Sequence, residues 1–346
     1  MRLPQVKKPG HSLRLVTATL HGRLPQEADW SRVLEIANRG WLGPALYIAL
    51  RRADRLNDIP PSVRDYLSFI HDRNSERNRR LRVQLLDAIG ALNAAAIEPI
   101  LLKGAIHLFT ADAEQLGTRM ISDLDISIAP DEMARATSAL MELGYSCFGS
   151  DRELARPDDV GVIELHDQPS ARSARYLSGD LRACSPKAAR DGVVARLPSA
   201  TARALHLIVH DMIKERDYWS FRIDLRHLHD LALLARPSEG IDWPKLRAAL
   251  FEATGREALI VQARALEDLY GVQIPPDLRP GPLAELRHVM RLICAGRGPS
   301  ASVARLIGNL SRGIHEIAQG YAWRGSWKFS HKVYRRLASR GTGSRV

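Results

Sequence analysis

Cysteine is scarce in this 346-residue chain: there are three, Cys147, Cys184 and Cys294. They are odd in number, far apart and without CxxC spacing, so they offer neither a disulfide framework nor a zinc site, and a reducing compartment is the simpler expectation. Long apolar runs are missing too. No stretch reaches the roughly 18 apolar residues of a membrane span, and the opening "MRLPQVKKPGHS" lacks the apolar segment of a secretory signal. Neither export nor insertion is signalled, and a soluble, cytoplasmic protein is expected. Aromatics are only 6% of residues beside 45% hydrophobic and 26% charged, the balance of a folded globular protein and not of a disordered or fibrous one. Acids are the minority charge, 39 against 50 Lys plus Arg, for a net charge of +11. That excess favours anionic partners such as nucleotides, nucleic acid or acidic lipid, and says nothing of fold.

What is present is periodicity that changes along the chain. Asp29 to Ala53 repeats its apolar residues at three- and four-residue intervals, as an amphipathic helix broken near Pro44 would. "IPPSVRDYL" opens a second helical stretch, Val63 to Ala95, with Arg and Glu assigned to its outer face. At "AAIEPILLKG" the pattern becomes strand, turn and helix, the turn falling at Lys103 and Gly104. "SDLDISI" then alternates strictly, with Leu124, Ile126 and Ile128 on one face and Asp123, Asp125 and Ser127 on the other. "PDEMARATSALMELGY" is a helix stopped at Gly144, followed by short strands near Tyr145 to Gly149 and in "DVGVIELHD". After Pro198 the pattern is helical almost to the end, with linkers at "PSEG" and "PPDLRPGPL". The expected fold class is α+β, a small mixed sheet between helical flanks. The expected divisions are a helical region over 1–96, the sheet core over 97–195, a helical region packed on it over 196–275, and a basic helical region over 276–346.

Two aspartates on a strand that otherwise belongs in a core need a counter-charge. Alternate positions place both carboxylates on one side, where they can share a divalent cation or hold two about 3.5 to 4 Å apart. A third carboxylate normally comes from a neighbouring strand, and Glu164 is the candidate. Magnesium would supply the charge, and a nucleoside triphosphate the oxygens that complete its octahedral shell. A glycine at a helix start exposes backbone N–H groups to phosphate, and a lysine beside it adds charge; Lys103 and Gly104 sit at such a turn. These are the ingredients of metal-assisted nucleotidyl transfer.

"LLKGAIHLF", an arginine at Arg119 shortly before "SDLDISI", then "LMELGY" and "VIELHD", resemble the uncharacterised bacterial nucleotidyltransferase family of the DNA polymerase β-like superfamily. The likeness extends to the front helices and to "LHLIVHDMIKERDYWSFRIDLRHLHDLALL", roughly residues 25 to 240. It implies that Asp123, Asp125 and Glu164 are catalytic magnesium ligands in a two-ion site. It also implies that Lys103 and Gly104 face the triphosphate and that Arg119 neutralises it. The chain departs from the broader pattern at Ala105, where a serine usually follows the glycine, and at Asp167, where an aromatic is expected after "LH". The expected reaction moves a nucleoside monophosphate from a triphosphate to a hydroxyl of an unknown acceptor, which could be a small molecule, a protein or RNA. The alternatives are a non-catalytic nucleotide- or RNA-binding protein on the same fold, and an RNA-directed, toxin-like enzyme.

Other features have plainer readings. His166 is expected to be a satisfied structural histidine, and His206 and His210, four apart without the glutamate of HExxH, to be core or capping residues. Asp230 is expected either to help shape the nucleotide site or to be a buried structural acid paired with Arg222 or Arg226. No acid follows Glu316, while bases interleave with Trp323, Trp327, Phe329 and Tyr334, a composition suited to an anionic partner such as RNA, acidic lipid or an acidic protein.

Overall fold

Three short helices lead: α1 (His11–Leu20), α2 (Trp30–Arg39) and α3 (Gly43–Arg52). In this computed structural model the described residues are 9–24, 28–150, 152–170, 172–177 and 179–318, so the segment from Trp323 onward lies outside them. α2 starts where Asp29 accepts a hydrogen bond from the Arg32 N–H at 3.1 Å. Pro44 lies in the first turn of α3, where its missing N–H costs nothing, and the chain breaks just before it, at residues 40–42.

α4 (Pro61–Ala94) runs 34 residues; Arg73, Glu76, Arg79 and Arg80 face outward as expected, while other polar residues turn inward. Asn74 and Asn78 are buried and donate to the carbonyls of Leu116, Gly117 and Arg119 at 2.7 to 3.1 Å. Arg77 donates to the carbonyls of Ile121 and Val160, and Gln84 exchanges two hydrogen bonds with the Gly161 backbone. A loop carries backbone polar groups that burial would otherwise leave unpaired, and α4 satisfies them from one face. The face thereby fixes the loop holding Arg119 and the starts of two strands.

The sheet follows. β1 (Ile100–Leu101), α5 (Lys103–Thr110), β2 (Asp123–Ser127), α6 (Met133–Glu142), β3 (Ser146–Cys147), β4 (Glu153–Ala155) and β5 (Val162–His166) precede a hairpin of β6 (Lys187–Arg190) and β7 (Val193–Arg196). Their order is β3-β4-β5-β2-β1-β7-β6, and the sheet is mixed: β2 runs parallel to β5 and antiparallel to β1. The alternation in β2 is realised, with Leu124 and Ile126 fully buried against Leu81, Leu85 and Leu140 of α4 and α6. The hairpin was not expected from the sequence. Its strands carry no apolar run, yet Asp191 and Gly192 at φ 47° and 84° form the two-residue turn that an Asp-Gly pair favours.

Behind the sheet come α7 (Ala200–Ile208), a π-helical turn (Val209–Lys214), α8 (Asp217–Ser220), α9 (Leu225–Leu234), α10 (Trp243–Ala249), α11 (Ala253–Tyr270), α12 (Pro282–Cys294) and α13 (Pro299–Ala318). These rear helices share one apolar core with the front ones, where Val33 and Leu46 join Leu228, Leu259 and Leu266. The architecture is α+β as expected. All three cysteines are free. No helix among the described residues is long and apolar enough to cross a membrane.

Candidate active site

β2 and β5 set the geometry. Their parallel register places Asp125 opposite Glu164, Asp123 opposite Val162, and Ser127 opposite His166. Asp125 is 1% exposed, and an isolated buried carboxylate would be costly. Two donors hold one of its oxygens: Lys103 Nζ reaches Oδ1 at 2.7 Å and His166 Nε2 reaches the same atom at 2.8 Å. An ionised carboxylate can only accept, so Nε2 carries the proton in the His166 contact. Burial alone would raise the Asp125 carboxyl, but the Lys103 ammonium and the His166 bond outweigh it and hold the group well below the ordinary range.

Glu164 behaves oppositely. Burial raises its carboxyl, and the charges of Asp123 and Asp125 raise it further. Three acids therefore crowd one face of two strands, with a single lysine inserted among them. Burial would lower the Lys103 ammonium, and the Asp125 charge reverses that. Asp123, half-buried at the strand's start, accepts from the Ser122 hydroxyl at 2.8 Å.

Lys103 takes φ 45°, a left-handed value uncommon outside glycine, where β1 hands over to α5. Leu102 N–H meanwhile donates to the Asp125 carbonyl at 3.0 Å, which ties this turn to β2. No side chain caps α5. Gly104 has a steric role: a Cβ there would stand 2.8 Å from Ile121 Cγ2 and 2.9 Å from Arg119 Nη1. Arg119 grips Asp230 of α9 at 2.8 and 3.1 Å, so the partner of Asp230 is Arg119 and neither Arg222 nor Arg226. Burial would raise Asp230, yet this pair brings it down to about 2. The contact ties the loop before β2 to the rear helices. Arg152 and Arg156 pair with Asp167 and Asp159 and leave Glu164 aside.

Lys103, Arg119 and His166 line a cleft of about 1830 Å³, whose wall also holds His206 and His210. His206 is neutral, because burial lowers it to about 3. Beyond that wall the π turn brings His210 and Asp211 to His227 of α9, a second compact cluster of imidazole and carboxylate.

An oxygen-rich cluster beside a lysine and an uncapped helix start is the layout of a phosphate-handling site. Residues 26–271 match a family model described as an uncharacterised nucleotidyltransferase. The chain belongs to that family. No curated protein and no solved structure matches it. Both clusters lie within the matched span, and the cleft lies within it apart from the stretch of wall formed by Leu20, His21 and Gly22. Sequence reasoning singled out Asp123, Asp125, Glu164, Lys103, Gly104 and Arg119, and the structure brings all six into one neighbourhood. It treated His166 as structural, although His166 contacts Asp125, and it missed the pairing of Asp211 with His227. The shared face of Glu164 and His166 on β5 was the available signal for the first. Nothing local signals the second.

Proposed function

We propose that the protein is a magnesium-dependent nucleotidyltransferase that moves a nucleoside monophosphate from a triphosphate to an acceptor hydroxyl. The observation that carries this reading is the facing of Asp125 and Glu164 across parallel strands, with Asp123 on the same face and Lys103 above them. The donor set fits the ion: three carboxylates are hard oxygen ligands, and the upward push that Asp123 and Asp125 exert on Glu164 marks negative charge a divalent cation would relieve. Asp123, Asp125 and Glu164 would hold the metal, which when bound supplies charge neutralisation and a more acidic hydroxyl.

The remaining work belongs to the chain. Lys103 and the N–H groups at the start of α5 orient the phosphates, and Arg119, braced by Asp230, adds positive charge to the cleft wall. His166 fixes the Asp125 carboxylate. The acceptor oxygen forms its bond to the α-phosphorus in line with the bond that breaks to the departing pyrophosphate, and the hydroxyl proton leaves to Glu164 or water. Such a reaction asks mainly for positioning and electrostatic complementarity.

A second reading rests on one contact. Lys103 occupies the Asp125 oxygen that a metal would use, an arrangement also suited to a fold that binds nucleotide without turnover. An RNA acceptor recruited by the basic segment after Glu316 is a variant of the first reading, and that segment lies outside the described residues. Incubation with each α-labelled triphosphate, magnesium and a cell extract separates these cases. Label on RNA, protein or a small molecule names the acceptor and should vanish in Asp123→Asn. No label with any triphosphate, but a nucleotide-dependent rise in Tm, establishes the binding-only reading. Neither label nor shift overturns both.

A further inference from the structure

The second cluster belongs to no step of that reaction. Asp211 is 3% exposed; its Oδ1 lies 2.7 Å from His227 Nδ1 and 3.0 Å from His210 Nδ1. Its other oxygen, Oδ2, is buried without a hydrogen-bond partner. A buried carboxylate oxygen left unpaired is costly, and a cation bound beside it would relieve that cost. The donor atoms of His210, Asp211 and His227 all lie within 4.8 Å of one another. His210 also lines the cleft, which gives the cluster an entry path.

We infer that His210, Asp211 and His227 form a second metal site, selective for a zinc-like transition ion, reached from the cleft through His210. The chemistry of the donors decides the ion: two imidazoles and one carboxylate suit zinc, iron or cobalt, and not magnesium or calcium. The spacing is close to what is needed. Bonds of about 2.0 to 2.1 Å in a tetrahedron set ligand atoms roughly 3.3 Å apart, and the two Asp211 contacts, 2.7 and 3.0 Å, fall about 0.6 and 0.3 Å short of that. The ligands come from two elements that the fold already locks together, the π turn and the first turn of α9, whose N-cap Asp224 accepts from the His227 N–H at 3.1 Å. π-helical turns recur at functional sites because the widened turn re-aims side chains.

At present Arg226 donates to His227 Nε2 at 3.3 Å, which leaves the ring's hydrogen on Nδ1. On loading, the Nδ1 hydrogens of His227 and His210 would pass to solvent and water would return a proton to each Nε2, so both imidazoles stay neutral with Nδ1 freed as the donor atom. Arg226 then turns off Nε2 toward Trp41, over whose ring it already stacks at 4.8 Å. A fourth position remains for water or for a ligand in the cleft.

The probes are Zn²⁺ and Co²⁺ added to the chelator-stripped full chain in excess Mg²⁺. One equivalent of Co²⁺ should bind with the intense visible absorption of a low-coordinate site. His210→Gln and Asp211→Asn should each weaken binding at least about tenfold, whereas His166→Gln and Asp123→Asn should leave it unchanged. His210 is half-buried at the cleft edge, so its variant decides the matter even if Asp211→Asn does not fold. No uptake by the parent overturns the inference. So does binding that His166→Gln abolishes and His210→Gln spares, because the ion then belongs to the acidic cluster.

Discussion

The two clusters, which reach the walls of one cleft through Lys103 and His166 in the first and His210 in the second, answer the same problem in different ways. At Asp125 a carboxylate buried on a strand is held by Lys103 Nζ and His166 Nε2, while Asp123 and Glu164 beside it remain half-buried and surplus in charge. At Asp211 a carboxylate buried on a π turn is held by two imidazoles, and no lysine enters. Burial would raise both groups, and in both the cationic or imidazole partners win and hold the carboxyl below its ordinary range. The first cluster is rich in oxygen and over-charged, so it is built to take a hard cation and phosphate. The second is nearly balanced and lacks only a partner for one oxygen.

The comparison breaks first if one of the two buried aspartates carries no structural weight. Removing one member of a buried ion pair costs about 3 to 5 kcal/mol because its partner is stranded. Asp125→Ala should therefore lose stability on that scale in denaturant titrations, and Asp211→Ala, which strands the N–H groups of two imidazoles, about 1 to 3 kcal/mol. A loss at only one position would mean that the other pair is ornamental.

Ligand response should separate the walls next. Magnesium with a nucleoside triphosphate at about 100 times its Kd should stabilise the parent by about 2.7 kcal/mol. Asp123→Asn should keep or exceed the parent's stability without ligand and lose that shift, while His210→Gln should retain it. An unchanged Tm in the parent with every nucleotide would detach the acidic cluster from nucleotide binding.

The Arg119–Asp230 brace joins the two walls and has a pH signature. Asp230 falls from 3.8 in the unfolded chain to about 2 in the folded one, so its contribution is complete above pH 4 and is lost as pH drops through 2. Asp230→Asn should be less stable than the parent by roughly 2 kcal/mol at neutral pH, a gap that closes on acidification toward pH 2. A gap that persists at pH 2 would point to lost packing in place of lost charge.

The smallest expected effect has the opposite sign. Glu164 is raised in the folded state, so its ionised form weakens the fold above that raised value, and stability returns as pH falls toward its ordinary range. Glu164→Gln should melt slightly higher than the parent at neutral pH, with the advantage gone near pH 4.5. Loss of stability in this variant would show that Glu164 is not surplus charge.

The acidic wall was readable in advance because strand periodicity is local. "SDLDISI" and "VIELH" state by alternation which side chains share a face, and side-chain direction on a strand follows from chain order alone. The outward assignment of Arg and Glu on α4 holds for Arg73, Glu76, Arg79 and Arg80, and what it left out has a tertiary reason. Asn74, Asn78 and Arg77 look like surface residues until a loop's unpaired carbonyls are laid against them. The β6–β7 hairpin went unread because its Asp-Gly turn is the only strong signal between two weakly apolar strands.

By itself the chain order determined that Asp123 and Asp125 share a face, that Lys103 and Gly104 stand at a strand-to-helix turn, and that helices flank a mixed sheet, since each follows from patterns spanning only a few residues. Only the tertiary structure decided that Glu164 stands directly opposite Asp125, that Arg119 is braced by Asp230, and that Asp211 meets His227. Those pairings are set by strand register and helix docking between segments 39, 111 and 16 residues apart. No local pattern encodes them, because burying two apolar faces together is what brings such polar groups within reach of one another.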